Sequence, residues 1–284
     1  MNEIVFKKQL SKDVFQMKLK APLIAEERLA GQFIILQVND DYGERIPLTI
    51  ADADINEGTI TIIFQVVGKT TAELSLLNIG DELPALVGPL GKPTHIENFG
   101  TVVCVGGGIG VAPLHPIAQA LKNAGNKVIT IIGARNKDLI ILEDEMKNIA
   151  DEFIICTDDG SYGRKALVTE PLKEICEREI KPNMVIAIGP PIMMKYCSLT
   201  TKPFNIFTQV SLNTIMVDGT GMCGGCRVNV GNQVKFVCVD GPEFDGHQVD
   251  FDNMMLRLNS YKQIEREAHS CYLEKLVEEK EMKS

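Results

Sequence analysis

Three cysteines set among glycines are the residues of this chain most clearly arranged for chemistry. Two glycines separate Cys223 from Cys226, and eleven residues separate Cys226 from Cys238. Thiolates two residues apart can bind one metal centre when a tight turn brings both sulfurs to the same side, and glycine permits the positive φ angles of such a turn. The pattern predicts a metal centre rather than unconnected buried thiols.

An aspartate extends the pattern towards an iron–sulfur cluster. Four residues lie between Asp218 and Cys223, so a carboxylate takes the first position of the C-x4-C-x2-C…C spacing of plant-type [2Fe–2S] sites. The predicted ligands are therefore Asp218, Cys223, Cys226 and Cys238. Zinc is the competing metal, because three thiolates and one carboxylate can form a closed tetrahedral site. The x4 and x2 spacing favours the cluster.

A glycine-rich turn, Gly106 to Gly110, lies between an apolar strand pattern and a helix pattern. Backbone N–H groups at such a helix start favour the pyrophosphate of a nucleotide. The match to G-x-G-x-x-G is incomplete, since Val111 holds the third glycine position and the second strand runs into Arg135 rather than an acid. Taken alone, the turn fits a plain strand–helix connection equally well.

Two further loops support a nucleotide site. Asp158-Asp159-Gly160 follows one predicted strand, and Gly189-Pro190-Pro191-Ile192-Met193 follows another. Ligands of open α/β sheets bind at the carboxyl ends of the strands, where these loops and the glycine turn should lie together. The alternative for the two aspartates is a solvated turn that caps a helix.

Two shorter motifs lie in the first hundred residues. In Arg45-Ile-Pro-Leu-Thr-Ile50, the planar guanidinium suits a phosphate group. Gly68-Lys-Thr-Thr71 opens a short predicted helix, whose N–H groups can face the other side of a pyrophosphate. Each motif alone is more typical of a surface turn.

The elements that must position these residues change along the chain. Short strands separated by turn signals, such as residues 39–43, predict an antiparallel β-barrel or sandwich over residues 1–97. Alternating strands and helices predict a parallel α/β sheet over residues 98–202. A compact Gly- and Cys-rich lobe at residues 203–252 and a helical tail at residues 253–284 complete the predicted organisation.

Composition limits the classes of function. The 284 residues are 45% hydrophobic and 24% charged, which is sufficient for two or more packed units. A net charge of -9 argues against a nucleic-acid partner. The first twenty residues lack the apolar core of a secretory signal, so we expect a cytoplasmic protein with reduced thiols. Residues 98–121 carry no charge, but their glycines and prolines predict a strand, a turn and a helix rather than a membrane span.

The motifs together resemble those of the ferredoxin–NADP reductase superfamily: R-x-P-L-T-I, G-K-T-T, G-P-L-G, G-G-G-I-G-x-A-P, T-D-D-G-S-Y-G and G-P-P-x-M-M. The cysteine segment is similar to that of the branch with the electron-transfer subunit of dihydroorotate dehydrogenase. Asp218 and the tail motif at residues 251–262 most resemble the small-subunit family of NADH-dependent ferredoxin:NADP oxidoreductases, also called a sulfide dehydrogenase subunit. A ferredoxin reductase-like fold follows from this: a β-barrel FAD domain, an α/β parallel-sheet nucleotide domain and a C-terminal [2Fe–2S] lobe.

The resemblance also implies the cofactor-binding residues. For FAD these are Arg45, Pro47, Leu48, Thr49, Gln65, Val66, Val67, Gly68, Lys69, Thr70 and Thr71. For NAD(H) they are Gly106, Gly107, Gly108, Ile109, Gly110, Asp158, Asp159, Gly160, Gly189, Pro190, Pro191 and Met193. The implied partner is a larger flavin and iron–sulfur subunit, which forms a heterodimer with this chain, binds NADP(H) and couples NADH to ferredoxin by electron bifurcation.

The expected reaction moves a hydride between NAD(H) and FAD, and then single electrons through the cluster. The cofactors carry this chemistry, so no side chain is expected to act as nucleophile or general acid. One rival keeps the cofactors with a dihydroorotate-oxidising partner, whose usual first ligand is cysteine rather than Asp218. Another is a zinc-bearing, nucleotide-sensing regulator.

Two points stay open from sequence alone. Arg135 could meet the 2′-phosphate of NADP, whereas the resemblance favours NAD(H). The tail is a candidate docking element for the partner or a helix packed on its own chain.

Overall fold

The structure, a computed structural model, describes residues 2–39 and 43–283. Residues 40–42 of the predicted turn and Ser284 at the end of the predicted tail lie outside this range.

An antiparallel sheet of six strands forms the amino-terminal part, in the order β1-β2-β5-β4-β3-β6. Its edges meet, because Glu3 pairs with Glu82 ahead of β6 and the Ile4 N–H donates to the Asp81 carbonyl at 2.9 Å. This closure confirms the predicted barrel. The elements are β1 (Ile4–Ser11), β2 (Val14–Lys20), α1 (Pro22–Glu27), β3 (Phe33–Gln37), β4 (Arg45–Asp54), β5 (Thr59–Gln65), α2 (Lys69–Leu76) and β6 (Ala85–Leu90).

A mostly parallel sheet with helices on its faces follows, as predicted. Its elements are β7 (Thr101–Gly107), α3 (Val111–Asn123), β8 (Lys127–Ala134), α4 (Glu143–Ile149), β9 (Glu152–Thr157), β10 (Arg164–Lys165), α5 (Thr169–Cys176), β11 (Met184–Ile188), α6 (Pro191–Thr201) and β12 (Phe207–Ser211). The strand order is β10-β9-β8-β7-β11-β12. The chain runs outwards from β7 to β10 and then returns to β11 on the other side of β7. The carboxyl ends of β7 and β11 therefore form the topological switch point, where such sheets bind ligands.

The sheet continues past the expected boundary at residue 202. β12 pairs in parallel with β11, and a last short strand pairs antiparallel with β12. The segment between them holds β13 (Arg227–Val230), β14 (Gln233–Phe236) and α7 (Val237–Asp240), before the edge strand β15 (Glu243–Asp245). The helices on the sheet end with α6, whereas the sheet itself extends to β12 and β15. The sequence pattern does not show β12, because β12 is only five residues long and has no helix after it.

One apolar cluster joins the barrel to the parallel sheet, while another lies within the barrel itself. Val14, Ala51 and Ile63 of the barrel pack with buried residues of α3, which crosses β4. The uncharged segment at residues 98–121 forms β7, the glycine turn and most of α3. Along residues 2–39 and 43–283, no helix combines the length and apolarity needed to cross a membrane.

The tail forms two helices, α8 (Phe251–Leu258) and α9 (Lys262–Lys283). α8 packs against α6 and β13, with Phe251 and Met254 buried. α9 lies against α2 of the barrel. The tail therefore packs on its own chain, which was one of the two expected roles.

Candidate functional site

Two of the predicted metal ligands form a buried sulfur pair. Cys226 ends the loop after β12, and Cys238 lies in α7; both side chains are almost fully buried. Their Sγ atoms lie 3.2 Å apart. Burial, together with the hydrogen bond and charge of Cys226, raises the pKa of Cys238 to about 12. Cys238 therefore keeps its proton unless a metal ion supplies compensating positive charge.

The other two predicted ligands form a second pair on the outer side of the loop. Asp218 Oδ1 accepts a hydrogen bond from the Thr220 N–H, and Oδ2 accepts one from the Cys223 N–H, each at 2.7 Å. Both bonds lower the pKa of the Asp218 carboxyl, and the bond from Thr220 has the larger effect. The carboxylate keeps unused lone pairs, and the Cys223 side chain is exposed.

The arrangement in pairs suits a centre with two irons. Each iron of a [2Fe–2S] cluster takes two protein ligands, whereas one zinc ion requires its donors around a single point. The donors lie in two pairs, Asp218/Cys223 and Cys226/Cys238, and this arrangement fits the cluster better than zinc.

The loop that carries Asp218, Cys223 and Cys226, called the ligand loop below, packs against the barrel. Gly219 adopts a φ of 75°, and a Cβ atom there would lie 2.7 Å from Leu90 Cδ1 and 2.8 Å from Ile35 Cγ1. Ile35 in turn pairs with Pro47, which belongs to the predicted flavin motif. The loop thus lies one strand away from that motif.

The first half of β4 presents an open surface, although β4 is flanked by β5 and β3. Pro47, Leu48 and Thr49 are only half-buried there. The Arg45 side chain is exposed and makes no hydrogen bond or ion pair with the described part of the chain. Apolar surface beside an unpaired guanidinium fits a ring system that carries phosphate groups.

The start of α2 lies beside the start of β4, because Thr70 Oγ1 donates to Glu44 Oε2 at 2.5 Å. The Thr71 hydroxyl accepts from the N–H groups of Val67 and Gly68 and donates to the Gly68 carbonyl. A hydroxyl has one donor and two acceptor positions, so that of Thr71 is fully used. Thr71 can therefore contact FAD only through its backbone or its methyl group.

The connection from β5 to α2 leaves room for a ligand. Gln65 and Val66 are half-buried, and Val67 is 76% exposed. No atom lies within 4 Å of a Cβ placed on Gly68, whereas Lys69 pairs with Glu73 along the helix. The structure thus brings the predicted FAD residues to one side of the barrel.

The glycine turn after β7 and the loop after β11 are in direct contact at the switch point. A Cβ atom on Gly107 would collide with Met193 Sδ, and one on Gly110 would collide with the Ile188 carbonyl oxygen. Gly108 has a φ of 54° and faces open space. Only glycine permits this approach, and the exposed backbone at Gly108 is available to a pyrophosphate. Of the remaining predicted residues here, Gly106 lies at the end of β7 and Pro191 at the start of α6. Ile109 lies in the glycine turn, and Gly189 and Pro190 form the connection after β11.

The loop Asp158–Gly160 lies at the same edge of the sheet but further along it. The N–H groups of Asp158 and Asp159 donate to the carbonyls of Ala134 and Arg135, which places this loop beside the end of β8. Asp159 Oδ1 accepts from the Ser161 N–H, so this carboxylate shapes its own turn. Strands lie about 4.8 Å apart, so the loop is roughly 10 Å from the glycine turn, a separation that an extended dinucleotide spans.

Sequence reasoning missed an orphaned acceptor between these loops. Asn136 Oδ1 is buried without a hydrogen-bond partner in the described structure, directly after Arg135. An unpaired buried amide oxygen at a sheet edge is typical of a site that a ligand hydroxyl or amine completes. The position just after the end of β8 is the signal that could have identified Asn136, but the residue expected there was Asp or Glu.

A second missed residue is Glu243, at the junction of the barrel, the sheet and the cysteine segment. It accepts hydrogen bonds from Thr94 Oγ1, at 2.7 Å, and from Gln209 Nε2. No basic side chain of the described chain pairs with it, and desolvation by burial raises its pKa to about 7. Glu243 pairs with Ser211, at the same edge of the sheet as the nucleotide loops.

Two parts of the chain match family models. Residues 104–198 match the oxidoreductase NAD-binding domain, and residues 213–250 match the iron–sulfur cluster binding domain of dihydroorotate dehydrogenase B. A Thermotoga maritima protein named as a homologue of the dihydroorotate dehydrogenase B (NAD(+)) electron transfer subunit is 49% identical over 273 residues, 96% of each chain. The electron transfer subunit of Fusobacterium nucleatum is 31% identical over 252 residues, 86% of this chain and 95% of its own.

Solved structures agree. A chain from an NADH-dependent reduced ferredoxin-NADP oxidoreductase, studied for flavin-based electron bifurcation, has a TM-score of 0.91 at 48% identity, over 96% of this chain and 98% of its own. A Neisseria gonorrhoeae ferredoxin NADP+ reductase with bound FAD and NADP has a TM-score of 0.57 at 17% identity, over 72% of this chain and 90% of its own. This last similarity is one of fold alone.

Proposed function

Because the chain belongs to the family of dihydroorotate dehydrogenase B electron-transfer subunits and their homologues, within the ferredoxin–NADP reductase superfamily, we propose that it passes electrons between NAD(H), FAD and a [2Fe–2S] cluster to a larger partner subunit. The observation that carries this proposal is the contact of Gly219 with Ile35, one strand from Pro47. It sets the ligand loop beside the flavin motif, so electrons have a short path between the two sites.

Each part of the chain has a distinct task in this proposal. When bound, FAD converts between the electron pairs of nicotinamide and the single electrons of the cluster. The open face of β4 and the start of α2 hold the flavin, with Arg45 on its phosphates. The loops at the switch point position the nicotinamide nucleotide, and Asp218, Cys223, Cys226 and Cys238 ligate the cluster. The proposed domains are the barrel at residues 1–97, the nucleotide domain at 98–202, the lobe at 203–252 and the tail.

The surface through which electrons pass to the partner lies on the exposed side of the ligand loop. Around the exposed Cys223, Met222 is 88% exposed, Val217 51% and Val239 39%. Apolar side chains grouped around an exposed ligand suit a partner that covers the cluster and excludes water. We assign this face to the larger flavin and iron–sulfur subunit, with which the chain forms a heterodimer.

The finer assignment is electron-bifurcating, NADH-dependent ferredoxin:NADP+ oxidoreduction, in which ferredoxin contacts the partner rather than this chain. It is supported by the similarity at a TM-score of 0.91 and by Asp218 in the first ligand position. The alternative partner oxidises dihydroorotate, which the names of the relatives favour. Chemistry with NAD(H) and reduced thiols places either activity in the cytoplasm.

The test is the visible spectrum and metal content of protein purified without oxygen. We expect flavin bands, a shoulder that dithionite bleaches, and two irons with two labile sulfides per chain. A colourless protein that contains zinc would identify the nucleotide-sensing regulator instead. Flavin reduction should be faster with NADH than with NADPH, and the reverse order would assign the site to NADP(H) through Arg135. Purification with its partner from the native host then separates the two oxidoreductase assignments.

A further inference from the structure

Two guanidinium groups hold the glycine pair between Cys223 and Cys226 from outside the ligand loop. Arg227 Nη1 donates to the Gly224 carbonyl at 3.1 Å, and Arg257 Nη2 donates to the Gly225 carbonyl at 3.1 Å. Arg227 belongs to the same segment, whereas Arg257 belongs to α8, 32 residues further along the chain. A tail helix therefore reaches the turn on which two predicted ligands are placed.

The Arg227 bond acts on a peptide whose N–H faces sulfur, and the Arg257 bond acts on the next peptide of the same turn. In a trans peptide the carbonyl and the following N–H point in opposite directions. The Gly224 carbonyl shares its peptide with the Gly225 N–H, which lies 3.5 Å from Cys223 Sγ as a donor. The Gly225 carbonyl shares its peptide with the Cys226 N–H, which consequently points away from Arg257. A charged donor on a carbonyl polarises the peptide and makes its N–H a stronger donor.

The Arg257 guanidinium is firmly placed and carries an uncompensated charge. α8 is capped by Asp250, which accepts from the Asn253 N–H at 3.0 Å, and it is tied to α6 by the ion pair between Lys195 and Asp252 at 2.7 Å. Arg257 itself is half-buried and pairs with no carboxylate in the described residues. Its positive charge is therefore directed at the ligand turn.

We propose that Arg257 is a positioning residue of the iron–sulfur centre, which fixes the Gly224–Gly225 turn and raises the reduction potential of the cluster. This inference rests on the proposed function, since it requires the cluster. Hydrogen bonds to cluster sulfurs and nearby positive charge both stabilise the reduced state, which carries one more negative charge. The charge of Arg257 acts in this direction directly, and its hydrogen bond does so by fixing the turn that holds the Gly225 N–H towards Cys223 Sγ.

The test compares Arg257→Gln with Arg257→Lys in the full chain, by redox titration of the cluster followed by electron paramagnetic resonance. We expect Arg257→Gln to shift the ratio of oxidised to reduced cluster about tenfold towards the oxidised form, a fall of about 59 mV for a one-electron couple. Arg257→Lys keeps the positive charge but replaces the planar guanidinium with a compact ammonium group. Its fall in reduction potential should therefore be smaller than that of Arg257→Gln. Arg266→Gln removes one exposed positive charge from α9 and should leave the potential unchanged.

An unchanged potential in cluster-loaded Arg257→Gln overturns the inference while leaving the proposed function intact. Absence of iron and labile sulfide from the unmodified chain overturns the proposed function itself. If Arg257→Gln binds no cluster, the positioning role is tested by the rate of backbone hydrogen exchange of residues 219–226 in cluster-free protein. Faster exchange in Arg257→Gln than in Arg266→Gln supports a positioning role, and equal exchange contradicts it.

Discussion

In the proposed cluster site, Asp218 would both ligate iron and close the ligand loop, two tasks that are separate where all four ligands are cysteines. Its carboxylate closes the ligand loop through two backbone N–H groups, and its remaining lone pairs face outwards. The spacing alone identifies this residue as a ligand position. The two hydrogen bonds are visible only in the folded loop, because they depend on the positive φ angles of Gly219 and Gly221.

Substitutions at Asp218 separate ligation from loop closure. Asp218→Cys should keep a full cluster at a lower midpoint potential, because a thiolate donates more electron density to iron than a carboxylate does. Asp218→Asn keeps a hydrogen-bond acceptor but offers iron a neutral amide, so most of the iron should be lost. Iron and sulfide analysis with a redox titration measures both. A fully loaded Asn variant with unchanged potential would restrict Asp218 to shaping the loop.

Gly110 tests the close approach at the switch point. A Cβ atom there would collide with the Ile188 carbonyl oxygen and lie 2.7 Å from Gly189 Cα, and neither backbone atom can move aside cheaply. We expect Gly110→Ala to reduce the free energy of unfolding by about 1–3 kcal/mol and to weaken NADH binding. Thermal unfolding and fluorescence titration with NADH measure the two effects.

The matched control is Gly68→Ala, since its Cβ meets no atom within 4 Å and its φ of -155° is extended. Its unfolding free energy should change by less than about 0.5 kcal/mol. Equal stability losses in the two variants would show that the contact at Gly110 is not tight.

The first turn of α2 is held by a single side chain, that of Thr71. The Thr71 hydroxyl satisfies the N–H groups of Val67 and Gly68, which otherwise have no helical partner. The motif G-K-T-T locates this helix in the sequence. The motif does not reveal that the second threonine is used by the protein backbone, because this depends on how the chain leaves β5.

Thr71→Val keeps the shape of the side chain and removes the cap. We expect a loss of about 1 kcal/mol in unfolding free energy and weaker retention of FAD, because the start of α2 loosens. The control on the same helix is Ser75→Ala, whose hydroxyl only bonds back to the Ala72 carbonyl. A Thr71→Val variant as stable as Ser75→Ala would contradict this role.

Most elements follow from hydrophobic pattern, because buried strands and amphipathic helices are local features of the sequence. β11 (Met184–Ile188) is such a strand, since it is apolar throughout and all five residues are buried. β12 was missed because five residues without a following helix do not show the α/β alternation. The antiparallel strand β15 is shorter still, and it is defined only by its pairing with β12.

At the scale of the whole molecule, Glu243 joins three parts of the chain. It links Thr94 after the barrel, Gln209 of the parallel sheet and the segment that follows Cys238. The two domains and their cofactors could be predicted from motifs, since each motif is contiguous. The junction could not, because its groups lie up to 149 residues apart and an isolated glutamate carries no signal.

The Glu243 junction predicts a pH-dependent stability. Burial raises its pKa from 4.5 to about 7, so the folded chain binds a proton that the unfolded chain releases. Stability should therefore fall as pH rises from about 4.5 to about 7, by a total of about 3 kcal/mol. Glu243→Gln should remove this slope and be more stable than the unmodified chain at pH 8. Unfolding profiles of the two proteins that run parallel over this range would contradict it.

The pairing of Ser211 with Glu243 makes the cysteine-bearing lobe an insertion between neighbouring strands. The two residues are register partners in an antiparallel pair, about 5 Å apart, although 31 residues separate them in the chain. The inserted segment also contributes to the core, since Leu212, Met216 and Val228 are buried there. One antiparallel pairing therefore anchors both ends of the lobe, and the position of the predicted ligands relative to the sheet depends on this single register.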